Sequence, residues 1–165
     1  MEINLGMPHP EFAALHEIFH LIQFELLLPE RGASDAGIRQ YATLHRFIQS
    51  TVSYRQNVLV LYEARKLHEF LMATGGSFEG ELKEAAYQVG LYEYYSRLHE
   101  AAARYYSQVI HEYSRNQDTK TADIIKKLDH HTVRLFLPND ESKAFKKHLI
   151  SLFSDLGWRK RWPWM

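Results

Sequence analysis

The chain has 165 residues, 45% of them hydrophobic, with 20 Lys/Arg against 20 Asp/Glu and no cysteine. This length and apolar content fit one domain, 1–165, able to bury a core. The lack of cysteine excludes disulfides, thiolate metal ligands and cysteine nucleophiles.

No run approaches the ~18 uncharged apolar residues of a membrane-spanning helix. The N-terminal MEINLGMPHPEF lacks the basic and apolar regions of a secretory signal, so a cytoplasmic location is expected. Charge is uneven along the chain. Residues 1–114 carry 9 Lys/Arg and 14 Asp/Glu, a net −5, and residues 115–165 carry 11 and 6, a net +5. That asymmetry fits either an ordinary dipolar protein or a basic C-terminal surface for an acidic partner, nucleic acid included.

Residues 1–9 read as an extended arm, and Pro10 suits the first turn of a helix. A first helix is predicted over about Glu11–Leu28, stopped by Pro29. It is apolar almost all round, with His16, His20 and Gln23 as a narrow polar line and Glu17 beside it. Such a helix sits deep in a bundle or under a partner chain. Ser34 or Asp35 caps a second helix, about Ala36–Met72, whose stripe is Tyr41, Leu44, Ile48, Val52, Leu59, Tyr62 and Phe70. Thr51–Ser53 permits a bend in it.

Thr74-Gly75-Gly76-Ser77 is the clearest turn. Beyond it, Gly80–Arg115 reads as one amphipathic helix of about 50 Å, at about 1.5 Å per residue, and holds seven of the ten tyrosines. Its apolar stripe is Tyr87, Leu91, Tyr94, Leu98, Ala102, Tyr105 and Val109. Glu93, Arg97, Glu100, Arg104 and His111 lie opposite, as a solvated charge face. The second and third helices are predicted to form a long antiparallel hairpin. A fourth helix is predicted over about Ala122–Leu135. A fifth, capped by Asp140 or Ser142, runs to about Leu156 and ends at Gly157. The tail 158–165 is basic and aromatic. Nothing alternates as a strand would, so the fold class is all-α: a helical bundle of about five helices on a long hairpin.

His16-Glu17-Ile18-Phe19-His20 matches HExxH. Histidines at i and i+4 share a helix face and can bind one zinc, with the intervening Glu activating its water. In zincin metalloproteases, whose motif this resembles, a sheet precedes the helix; here only 15 residues do. No third ligand stands at a short spacing, with Glu63 one candidate. The same histidines would also serve as a simple solvent stripe. Glu17–His20 is in addition the ExxH unit of di-iron bundles, but a second ExxH is missing.

Arg104 and His111, with Tyr113 following, resemble the R-x4–6-H pattern of HEPN-type ribonucleases. That resemblance implies His111 as acid/base and Arg104 as phosphate clamp. The pattern is two residues long, and a charge face paired at i,i+4 explains it as well. A polar cluster of His45, Arg55, Glu63 and Lys66, with Gln56, lies on or beside the apolar stripe of the second helix. Such groups fix register, reach outward to water or line a cleft. The tail residues Trp158, Arg159, Lys160, Arg161, Trp162 and Trp164 interleave cations with indoles, a mix suited to a protein partner, a nucleic acid, a membrane interface, or folding back over the bundle end.

The leading expectation is a non-enzymatic helical interaction module, a homo-oligomer or a subunit of a larger assembly, with the basic aromatic C-terminus as a contact surface. The alternatives are a metal-dependent hydrolase on residues 16–20, with zinc as cofactor, or a HEPN-like ribonuclease using Arg104 and His111.

Overall fold

The computed structural model describes residues 10–74, 79–114 and 135–157. Among them are six α-helices: α1 (Pro10–Ile22), α2 (Asp35–Ser50), α3 (Val52–Ala73), α4 (Glu79–Tyr95), α5 (Leu98–Ser114) and α6 (Asn139–Asp155). There is no strand among the described residues, and the protein is all-α, a helical bundle. The expected helix over 122–135, the arm at 1–9 and the tail contacts of Trp158, Arg159, Lys160, Arg161, Trp162 and Trp164 lie outside the described residues.

The first helix starts at Pro10 and continues past Ile22 as a π-helical turn, Gln23–Leu27. Leu28 is extended, as the residue before a proline must be, and Pro29 opens a short 3₁₀ turn. Ser34 then caps α2, its hydroxyl accepting from the Gly37 amide at 3.1 Å. Gly37 lets the start of α2 lie against the π-turn. A Cβ there would stand 3.4 Å from the Leu26 carbonyl oxygen and 3.3 Å from Ser34 Oγ.

Two predicted long helices are broken. The second stops at Thr51, which is extended (ψ 147°) and whose hydroxyl accepts from the Tyr54 amide to start α3. Thr51 thus does more than permit a bend: it ends one helix and caps the next. The Gly80–Arg115 helix breaks at Ser96–Arg97 into α4 and α5. Arg104 reaches back across that corner and donates to the Tyr95 carbonyl at 2.6 Å, one of the acceptors that a helix C-terminus leaves unpaired. Its guanidinium also sits 5.4 Å from the Tyr95 ring centroid. The hairpin is therefore the shorter pair α3–α4, and the long one is a correction.

The breaks change which faces are buried. α5 is the central helix: Glu100 through His111 are all buried. Its Ala101, Ala102 and Ala103 present no bulk and let α1 approach closely, with Phe19 stacked on Tyr106 at 4.6 Å between ring centroids. On another side α2 and α6 pack together, and Phe145 meets Phe47 and the edge of Tyr105. Phe19, Leu44, Ile48, Tyr105, Phe145, Leu149, Leu152 and Phe153 are essentially sealed from water. Each such side chain is worth about 1.5–3 kcal/mol in transfer from water.

The segment entering α6 is held on α5 by Gln108. Its amide nitrogen donates to the Leu137 carbonyl and its amide oxygen accepts from the Leu137 N–H, both at 2.8 Å. Ser53 on α3 donates to the Phe136 carbonyl beside it. Gly157, at φ +78°, ends the sixth helix where a glycine stop was expected.

Two predicted stripes do not survive as core. The tyrosine stripe is buried only in its α5 half, at Ala102, Tyr105 and Val109, while Tyr87 and Tyr94 on α4 are exposed. The supposed solvated face, Glu100, Arg104 and His111, is buried. In the second stripe Tyr41, Leu44 and Ile48 are core, but Val52, Leu59, Tyr62 and Phe70 face water.

Candidate metal centre

The histidine line of α1 does not face solvent. It faces α5, where a carboxylate waits. His16 Nε2 lies 3.0 Å from Glu100 Oε2, His20 Nε2 lies 3.0 Å from His16 Nε2, and His20 Nε2 lies 3.4 Å from the same Glu100 oxygen. The three side chains are 12–15% exposed, enclosed but still reachable. Helical spacing explains the histidine half, since i and i+4 project from one face. The α1–α5 packing supplies the rest, because the alanines that follow Glu100 bring the two helices together.

The triangle has the dimensions of a ligand set. A tetrahedral ion with bonds of about 2.0–2.1 Å spaces its donors about 3.3 Å apart. The observed edges of 3.0, 3.0 and 3.4 Å bracket that value. Two imidazole nitrogens and one carboxylate oxygen, each from a separate residue, are a set that zinc accepts with a fourth position left for water. His16, His20 and Glu100 form the one such group of three possible ligands among the described residues.

Gln23, at the start of the π-turn, orients the second histidine. Its amide nitrogen donates to Tyr41 Oη at 2.8 Å and toward the His99 carbonyl at 3.4 Å. A backbone carbonyl can only accept, so the Gln23 amide is oriented with its oxygen toward His20 Nδ1, 2.9 Å away. His20 therefore carries a proton on Nδ1 and, in its neutral form, presents the Nε2 lone pair to the triangle. This is the usual support for a metal-ligating histidine. With His20 neutral, one proton on His16 Nε2, shared between Glu100 and His20, satisfies the two 3.0 Å contacts and leaves the His20 and Glu100 lone pairs facing each other at 3.4 Å, which a cation or a second proton on His20 would relieve.

The electrostatics follow from the same contacts. Burial works against a charged Glu100. Hydrogen bonds from His16, His20 and Tyr94 outweigh it and hold the carboxyl well below the usual carboxylate range. Burial also opposes charging of His20, but Glu100, Gln23 and Glu17 together leave its imidazole above the ordinary value. The partial burial of Tyr94, and then the nearby Glu100 carboxylate, push its phenol up, so it stays neutral and able to donate toward Glu100. Glu17 is half-buried beside this group, close enough to act electrostatically on both His20 and Tyr94. His99 stands at the rim, its Nε2 3.5 Å from the other Glu100 oxygen.

The remaining predicted residues are dispersed. Arg104 is committed to the α4–α5 corner, and the His111 ring lies on Phe12 at 4.8 Å between centroids with Glu11 3.9 Å away. Seven residues separate Arg104 from His111, about 10 Å along the axis, and both are buried. They are not brought to a common surface. The polar cluster is not assembled either. Arg55, Glu63 and Lys66 are exposed on α3, while His45 is half-buried on α2 against Tyr41 at 4.1 Å. Glu63 pairs loosely with Lys66 at 3.9 Å and does not supply the third donor.

Glu100 and Gln23 are the residues that sequence reasoning missed. Gln23 stood in the polar line, three residues after His20, so its signal was present. Glu100 had none, because 84 residues separate it from His16. No protein-family model, curated protein or solved structure matches this chain.

Proposed function

We propose that His16, His20 and Glu100 hold a divalent transition-metal ion, zinc in the first instance, and that the chain is a metal-dependent hydrolase with Glu17 as its base. The observation that carries this is the triangle of donor atoms at 3.0–3.4 Å with His20 oriented by Gln23. Three protein ligands leave a fourth position for water, and the ion would lower that water's pKa to about 7. Glu17 would take the water proton as the oxygen bonds to the electrophilic centre, then return it to the leaving atom as the scissile bond breaks. Tyr94 would keep Glu100 anionic and positioned as a ligand. The same donor set suits iron(II), so loading with each metal separates the two.

The interaction-module reading is compatible with this centre and has its own support in the exposed face of α3. Among the described residues no helix is long and apolar enough to cross a membrane.

The test is hydrolysis by zinc-loaded protein across chromogenic esters, phosphodiesters and peptides, run beside the metal-free protein and Glu17→Gln. The proposal expects metal-dependent turnover that Glu17→Gln lowers by about 10²-fold or more without loss of bound metal. No turnover above the metal-free protein, or an undiminished Glu17→Gln, would overturn the hydrolytic assignment.

A further inference from the structure

Among the described residues, the outer face of α3 is apolar and exposed. At about 100° per residue, Leu59, Glu63, Lys66 and Phe70 lie within an arc of about 60°, with Tyr62 and Leu67 flanking it symmetrically. Leu59 is 60% exposed, Phe70 64%, and Tyr62 and Leu67 54% each. α3 packs against α4 on its other side, with Leu67 at the edge of the groove between them, touches α2 near the Thr51 break, and rests on residues 135–136 through Ser53 and Val60. A 22-residue helix whose main neighbour among the described residues is α4, and which carries an apolar outer stripe, is half of an interface.

The pattern of the stripe says what the other half is. Its two charges are of opposite sign and lie at its centre, and its apolar residues lie outside them. We propose that this face pairs with a second copy of itself, antiparallel, about a two-fold axis passing between Glu63 and Lys66. In that register Leu59 meets the partner's Phe70, Tyr62 meets the partner's Leu67, and Glu63 meets the partner's Lys66, each contact occurring twice. Any other antiparallel register puts a central charge on an apolar residue or on a like charge. Lys66 already lies 4.2 Å from the Tyr62 ring centroid and 3.9 Å from Glu63, so its ammonium stands where the partner's Glu63 would arrive. Two α3–α4 hairpins joined in this way make a four-helix arrangement in which α3 gains the neighbour it lacks. This pairing does not depend on the metal centre, which lies on α1 and α5.

The absence of native cysteine makes the register directly readable. Residues 59 and 70 are about 16 Å apart along one helix, too far for a short thiol crosslinker within a chain. The full-length double variant Leu59→Cys/Phe70→Cys should crosslink into a covalent dimer, while each single variant should not. The unmodified protein should show the mass of a dimer in solution. Phe70→Glu should become monomeric with unchanged helical content, since that side chain is mostly exposed. A monomeric mass for the unmodified protein would overturn the proposal and assign the stripe to another segment of the chain or to a foreign partner. Single-cysteine variants that crosslink as well as the double variant would overturn the register.

Discussion

Gln23 shows how one side chain orients a histidine of the candidate ligand set. Without it, His20 could carry its proton on either nitrogen, and half of its tautomers would present N–H to the triangle. Replacing it tests orientation separately from ligation. Gln23→Leu should keep the fold, because the site is buried and the size similar, and should weaken metal affinity by about 10–100-fold. Competition against a chelator measures this, and an affinity equal to that of the unmodified protein would deny Gln23 the role.

His45 carries a separate prediction. Burial, with a smaller contribution from nearby His99, holds its imidazole below the ordinary value. Burial does the same to His148 on α6. A histidine whose folded value is depressed binds protons more readily in the unfolded chain. Stability is therefore full above about pH 6.5 and falls as pH drops from there toward the folded value. His45→Phe should flatten that decline. Denaturant unfolding at neutral and mildly acidic pH reads the slope, and an identical slope in the variant would remove His45 as a contributor.

The histidine pair was legible in the sequence because its spacing is local and its chemistry is specific. Glu100 was not. On a helical wheel it looked like one half of a surface pair with Arg104, and only the corner at Ser96–Arg97 sends Arg104 to the Tyr95 carbonyl and leaves Glu100 to the histidines.

That corner is the main lesson at the scale of elements. Seven tyrosines and no interior breaker stronger than Gly90 made Gly80–Arg115 look like one helix. Neither Ser96 nor Arg97 is a strong stop signal, so the break depends on packing. α4 packs along α3, and α5 turns to run through the middle of the main core. Once the helix is broken, a single stripe no longer describes both halves, and the charged face of the intact helix becomes the buried polar side of α5. Thr51 was more legible, as the first of two adjacent β-branched residues, and the structure makes it a full stop and a cap.

The Gln108 clamp belongs to this scale too. Gln108→Leu would leave both backbone groups of Leu137 without their partner, at about 1–3 kcal/mol. Equilibrium unfolding should show a loss of that size. A neutral substitution would mean that the 135–138 segment finds other partners.

At the scale of the molecule, the described residues form a main core and a smaller cluster that ties α3 and α4 to it. α1, α2, α5 and α6 share one core and carry the candidate centre, and the α3–α4 hairpin carries the exposed apolar face. Helix class, the capping serine, the proline stop and the terminal glycine were readable because each is a local signal. Which stripe becomes core was not. Apolar periodicity marks a face that wants cover without saying whether the same chain provides it, and Leu59 and Phe70 show the difference. The Gly80–Arg115 stretch holds both answers. Its α4 half packs on α3, and its α5 half forms the spine of the main core and carries Glu100, the third member of the candidate centre.

The central claim is that α1 and α5 together form a metal site, and the stoichiometry of bound zinc in Glu100→Ala tests it most directly. The unmodified protein, loaded and then freed of excess metal, should retain one zinc per chain, and Glu100→Ala should retain almost none while staying folded. If the unmodified protein retains no metal, or if Glu100→Ala binds zinc as tightly as its parent, the three residues are a buried hydrogen-bonded cluster and not a metal centre.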